Sequence, residues 1–230
     1  MLKKIFLNVL VAVFALTCFA QTGLTSSNKP NFKEIEKSIK DKNSPFFYAK
    51  LMERYSNNDT ALTIEEYHYL YYGFSFKDGY SPYGKSALND ELRKQMSEKN
   101  TEKIIELEKK VLLEFPFNLR DLNTLTNALD KKGDKEQADL YYKKLLGVAK
   151  AIMATGNGLT DSTAMYVISV DQEYDMISLL GYKFGGGQTL INNKFGSMDK
   201  MKLEKNDANI EAIYFNVDRL FASMQKMFGK

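Results

Sequence analysis

The chain has 230 residues, 44% of them hydrophobic and 27% charged, with 13% aromatics, 14 Gly and 4 Pro. This balance excludes the disordered, collagen-like and multi-pass membrane classes and leaves enough chain for a sizeable core. The formal charge is +3, and two of the positives, Lys3 and Lys4, lie in a segment expected to be removed. The near-neutral remainder gives no electrostatic case for nucleic acid or an anionic membrane.

The first predicted element is an address. Residues 1–20 (MLKKIFLNVLVAVFALTCFA) place two lysines before an apolar run that closes on Cys18, Phe19 and Ala20. Small residues at the minus-three and minus-one positions complete the pattern of a secretory signal peptide cleaved after Ala20. A retained anchor would need the ~20 apolar residues that span hydrocarbon, and lipidation of Cys18 would want a small residue where Thr17 stands. Cys18 is the only cysteine. The mature chain is therefore expected to lack disulfides, cysteine nucleophiles and cysteine metal sites. Export without disulfides suits the periplasm or cell envelope of a Gram-negative bacterium.

Residues 21–29 read as a flexible polar linker, and residues 30–158 as a helical-hairpin region. Phe32, Ile35 and Ile39 fall on one helical face, and Ser44-Pro45 is expected to restart a helix carrying Phe46, Phe47, Leu51 and Met52. Thr63 stands three residues before Glu66, the spacing of a capping box. A third helix is expected from Ile64, with Tyr67, Leu70 and Tyr71 on one face. Residues 73–85 read as an aromatic loop.

Leu122, Leu125, Leu129, Gly133, Ala138 and Tyr142 follow the offsets of a tetratricopeptide unit. Large residues mark a first helix, a glycine the turn, and a small residue then an aromatic the second helix. One repeat length earlier, Ile104, Glu108 and Val111 occupy the matching second helix and Pro116 its end, with Glu108 a misfit. A unit and a half make helical hairpins of that style, not a superhelix.

The grammar changes at Thr155-Gly156-Asn157-Gly158. Residues 164–170 (AMYVISV) read as a strand, 171–180 as a short helix closed by Gly181, and 185–187 as a glycine loop. Residues 188–192, 198–205 and 212–217 have strand character, and 220–228 reads as a closing helix. The expected fold class is α+β. Its helical N-terminal two-thirds of tetratricopeptide-like hairpins carries a smaller antiparallel β-containing C-terminal part, residues 159–230, packed on it as one domain.

His68 is the only histidine, so imidazole chemistry has one candidate and no paired zinc site can form around it. The string Gly79-Tyr80-Ser81-Pro82-Tyr83-Gly84-Lys85-Ser86 matches the formula of a phosphate-binding loop. Pro82 deletes a backbone donor, however, and two tyrosines bring bulk where such a loop needs bare backbone. Among the carboxylates, Glu65, Glu66, Asp171, Glu173 and Asp175 recur near predicted helix starts, where negative charge is favoured. No cofactor and no metal is assigned. The density of aromatics from Phe46 to Tyr83 exceeds what one small core would bury equally, and tyrosines on a loop give amphipathic contact area.

Several strings, in order, carry a resemblance. They are Leu70-Tyr71-Tyr72-Gly73, Ser81-Pro82-Tyr83, Thr155-Gly156-Asn157-Gly158, Glu173-Tyr174 before Leu180-Gly181, and Tyr214-Phe215-Asn216-Val217. Together they resemble the exported family described as domain of unknown function 4919 (DUF4919). The resemblance covers about residues 30–217. It implies export and a shared fold, places Ser81-Pro82-Tyr83 in that fold, and supplies no activity, cofactor or catalytic residue.

The leading functional expectation is a non-enzymatic protein-interaction module whose partner is another envelope protein, with a binding site joining Tyr69, Tyr72, Tyr80 and Tyr83. Neither nucleic acid nor a transmembrane segment in the mature chain is expected. The alternative is a secreted glycan-binding protein or a hydrolase that uses Glu66 or Glu173 beside those aromatics.

Overall fold

Side-chain hydrogen bonds fix where the helices start. In a computed structural model that describes residues 29–228, Asn31 caps helix α1 (Phe32–Lys40) by accepting from the Glu34 N–H, and Ile35 and Ile39 on its inner face are buried. The expected signal peptide and all but the last residue of the linker lie outside the described residues. Helix α2 (Tyr48–Ser56) begins later than the sequence suggested. Ser44 intervenes: its hydroxyl accepts the Phe46 N–H and its carbonyl the Phe47 N–H, which makes a turn before the helix can start. Helix α3 (Ile64–Phe74) carries the expected capping box. Thr63 Oγ1 accepts from the Glu66 N–H at 3.1 Å, and Glu66 accepts in return from the Thr63 N–H at 2.8 Å.

Helix α4 (Asn89–Ser97) has few apolar residues, and the sequence reading passed over it. Asn100 and Asn118 cap α5 (Thr101–Glu114) and α6 (Leu119–Lys132). The tetratricopeptide-style positions Leu122, Leu125 and Leu129 are buried on α6, and Ala138 is buried on α7 (Lys135–Met153). Gly133 between these helices sits at φ +94, where an L side chain is strained. Tyr142, assigned to the aromatic position, is 39% exposed instead.

These helices, over Asn31–Ala151, form one compact unit. The second holds Lys29 and Pro30 together with the chain from Ile152 onward. It contains a 3-10 turn (Asp161–Thr163), β1 (Met165–Tyr166), α8 (Asp171–Leu179), β2 (Phe184–Asn193), β3 (Gly196–Leu203), β4 (Ala212–Asn216) and α9 (Asp218–Phe228). The sheet order is β1-β4-β3-β2, with β1 parallel to β4 and the other pairs antiparallel. The architecture is α+β with a helical N-terminal region: nine helices and a four-stranded mixed sheet among the described residues.

Two details differ from expectation. The first strand is only Met165–Tyr166, because the Gln172 and Glu173 N–H groups bond back to the Ser169 and Val170 carbonyls and turn the chain into α8. The triple glycine belongs to β2, with an irregular register between Phe184 and Gln188, and is not a separate loop.

Candidate functional site

Most of the aromatics of residues 32–117 form a connected network inside the helical unit. Tyr72 meets Phe32 at 5.9 Å, Tyr71 at 4.7 Å and His68 at 4.6 Å between ring centres. Phe117 continues the network to Tyr55 at 5.2 Å and to Phe74 at 5.7 Å, and Phe74 meets the edge of Tyr80 at 6.0 Å. Tyr69 joins through His68 and stacks flat on Phe46 at 3.8 Å. Three of the four tyrosines proposed as a site thus belong to one network. Tyr72 is fully buried within it and braces the core, so a surface site would rest on the others. Tyr69 and Tyr80 are half-buried, and Tyr83 is 57% exposed with no ring contact among the described residues.

Tyr80 and Tyr83 sit on a segment fixed from below. Pro82 is buried, and Gly84 lies so close to the Phe115 ring that a Cβ there would stand 2.7 Å from it. The Ser86 hydroxyl is bonded to Glu114 at 3.1 Å. This segment follows helix α3 and turns rather than a strand, and Ser86 is buried, unlike the phosphate-facing hydroxyl of a true P-loop.

The carboxylates named in the hydrolase alternative are held differently from each other. Partial burial works against the charge of Glu66, but the Thr63 backbone and the Arg54 guanidinium outweigh it and hold the carboxyl below the usual range. Arg54 also donates to Asp59 at 2.7 Å, so this cluster clamps α2 to the start of α3. From its place in the sequence, Glu173 is expected to solvate a helix start. It does lie in the first turn of α8, but it is fully buried. Burial, and then the neighbouring Asp199 carboxyl, push it up to about 8. Among the described residues neither of its oxygens has a hydrogen bond of ordinary geometry. Asp199 on β3 is itself raised by burial, accepts from Gln188 Nε2 at 2.7 Å, and Gln188 Oε1 in turn accepts from the Tyr174 hydroxyl at 3.2 Å.

Three further groups stand out. Glu108, the misfit of the repeat register, is 1% exposed, and neither of its oxygens has a hydrogen-bond partner among the described residues. Burial, with Asp121 adding to it, pushes it up to about 9. Lys144 on α7 is buried with its ammonium over the Tyr55 ring at 4.6 Å and the Tyr141 ring at 5.1 Å, and burial brings it down to about 8. His68 is brought down to about 4 by burial and is therefore a neutral ring at physiological pH. On the open face of β2 and β3, a groove of about 950 Å³ is lined by Gly187, Thr189, Lys200, Lys202 and the 204–211 loop. Among the described residues no group of three His, Cys, Asp or Glu could hold a metal, and no helix is long and apolar enough to cross a membrane.

A family model described as a domain of unknown function (DUF4919) matches residues 33–226. The chain belongs to the DUF4919 family. No curated protein and no solved structure matches it.

In this DUF4919 chain every residue of the candidate tyrosine site and both named carboxylates fall inside the matched span. Glu108 could be found in the sequence because it breaks an apolar pattern. Lys144 and Asp199 gave no such signal, since what makes them unusual arrives from distant parts of the chain. Chemically, a half-exposed aromatic surface on a fixed segment suits binding. Of the acid pair on α8 and β3, Asp199 is half-buried and Glu173 is sealed, with no exposure by which to meet a substrate.

Proposed function

We propose that this DUF4919 protein is exported, loses residues 1–20, and acts as a non-enzymatic interaction module that binds another protein of the cell envelope. The observation that carries the reading is Tyr83, 57% exposed on a segment held by buried Pro82, Gly84 against Phe115 and Ser86 on Glu114. An amphipathic ring presented on a rigid support loses little conformational entropy on binding, which is how aromatic hot spots gain affinity. Tyr80, half-buried against Phe74, and the Tyr69–Phe46 stack extend the aromatic surface without needing to rearrange. The glycan or hydrolase alternative loses support from its named carboxylates, because Glu66 is bound to Arg54 and Thr63 and Glu173 is sealed.

The test is crosslinking in the native cell with a tagged chain expressed from its own full sequence, followed by mass spectrometry. A near-stoichiometric partner that is lost in a Tyr80→Ala/Tyr83→Ala double variant, with unchanged circular dichroism, is the expected result. An equally strong partner in the variant would move the contact elsewhere, and a clean bait would count against protein binding. The mass of the recovered chain reads the cleavage after Ala20 directly.

A further inference from the structure

The sheet order leaves β1 and β2 at the borders, and β1 is only 2 residues long. The other border is long. Residues 188–193 of β2 pair one for one with β3 on one side, so alternate residues turn their N–H and C=O outward on the other. Those outward groups have no partner among the described residues. Natural sheets protect such borders with lysine, proline, inward charge or a bulge. Here the irregularity between Phe184 and Gln188 blunts only the first part. The remainder, Gln188-Thr189-Leu190-Ile191-Asn192-Asn193, holds no charge and no proline, and Leu190 is 47% exposed.

We propose that this edge is a homodimer interface, in which β2 of one copy pairs antiparallel with β2 of a second copy to make one sheet across both. Directly opposed residues share a sheet face, so a two-fold axis through Leu190 sets it opposite its own twin. Thr189 then faces Ile191 and Gln188 faces Asn192. Every such pair is uncharged, so identical strands meet without the like-charge repulsion that a charged edge would bring to self-pairing. The twin leucine covers the apolar surface that Leu190 exposes. Asp199 on β3, across from Leu190, stands about 14 Å from its own twin, and Lys200, across from Thr189, about 16 Å, both beyond the ~10 Å screening length of ordinary salt. The uncharged stretch and its exposed leucine together fit a second copy of the same strand.

Sedimentation velocity over a concentration series, on the chain expressed from its full sequence, tests the proposal together with three variants. The wild type is expected to pass from monomer to dimer as concentration rises. Leu190→Cys, mildly oxidised beside a wild-type control, is expected to give a disulfide-linked dimer, since position 190 meets itself. Leu190→Lys sets two ammonium groups opposite one another and is expected to weaken dimerisation about tenfold. If Leu190→Lys disturbs folding by circular dichroism, Thr189→Lys sets two ammonium groups diagonal to one another on the other sheet face and is expected to weaken dimerisation in the same direction but by less. A monomer at all concentrations overturns the proposal, as does a dimer undiminished in both lysine variants or one seen only with another protein present. Slow exchange in a monomer at the outward-turned amides of 188–193, those that do not bond to β3, would mean that another segment of the same chain covers the edge, and overturns it equally.

Discussion

Glu108 and Glu173 are carboxyls kept where their charge is costly, and that cost is measurable. A group whose folded pKa lies above its unfolded value holds a proton in the folded state that the unfolded chain has already released. For Glu108, pushed up to about 9, that window runs from the ordinary carboxyl range near 4.5 upward. Stability is therefore lost as pH rises through it, by about 1.4 kcal/mol per pH unit for one proton. Glu108→Gln keeps the shape without the titration. Denaturant unfolding of the variant is expected to show a fall in stability between pH 5 and pH 8 that is smaller by about 1.4 kcal/mol per unit. An unchanged slope would mean that Glu108 is not protonated in the fold. The repeat pattern flags Glu108 because an acid stands where an apolar residue belongs. It cannot flag Glu173, whose place at a helix start looks ordinary until the sheet buries it against Asp199.

At the scale of elements, signals that close within a few residues are the legible ones. The Thr63–Glu66 capping box is read correctly because both of its hydrogen bonds span three residues. Thr63→Ala is expected to lower stability by about 1 kcal/mol. Gly133 is similarly legible as a turn, and its φ of +94 makes Gly133→Ala cost about 1 kcal/mol through backbone strain alone. Gly147 in the middle of α7 gives no such signal, yet a Cβ there would run into the Tyr67 ring of α3. Tyr67 is buried and cannot swing to solvent without opening the core, so Gly147→Ala is expected to cost about 2 kcal/mol. Thermal melts of the variants should rank Gly147→Ala below both others. The reverse order would mean that α3 and α7 are not packed so closely. The misplaced start of α2 has the same origin: the Ser44 hydroxyl bonds to the chain beside it and delays the helix, a competition that apolar periodicity does not report.

For the whole molecule, these titrations combine into a pH profile. Glu108 and Glu173 lower stability as pH rises above about 4.5, up to about 9 and about 8 respectively. Asp199, also raised, acts in the same direction. His68 works oppositely. Its folded value of about 4 lies below the ordinary imidazole value, so the unfolded chain takes the proton first and stability rises with pH between about 4 and 6.5. Two carboxyls outweigh one imidazole below 6.5, and from there to about pH 8 they act unopposed, after which Lys144, brought down to about 8, begins to raise stability with pH. Asp59 and Glu66, held below the usual range, withdraw their support only in stronger acid. The expected optimum therefore lies on the acid side of neutrality, near pH 4.5 to 5, with the steepest loss between about 6.5 and 8. Urea midpoints across this range check it. A stability that climbs steadily from pH 5 to pH 8 would contradict the burial of the acid groups.

The amino-acid order is enough for whatever depends on neighbours along the chain. It carried the α+β class, the buried faces of α1, α3 and α6, the capping box, the glycine turn at Gly133 and the resemblance to DUF4919. Folding in three dimensions makes Tyr72 core and Tyr83 surface, rests Lys144 on two tyrosine rings, brings Glu173 to Asp199, and leaves β2 as an edge with no neighbouring strand among the described residues. Each of these is a question of what comes to lie beside a residue from elsewhere in the chain. Caps and helical periodicity act over one or two turns and are written locally. Burial, and the pKa shifts that follow from it, sum over sequence-distant neighbours and exist only once the chain has folded.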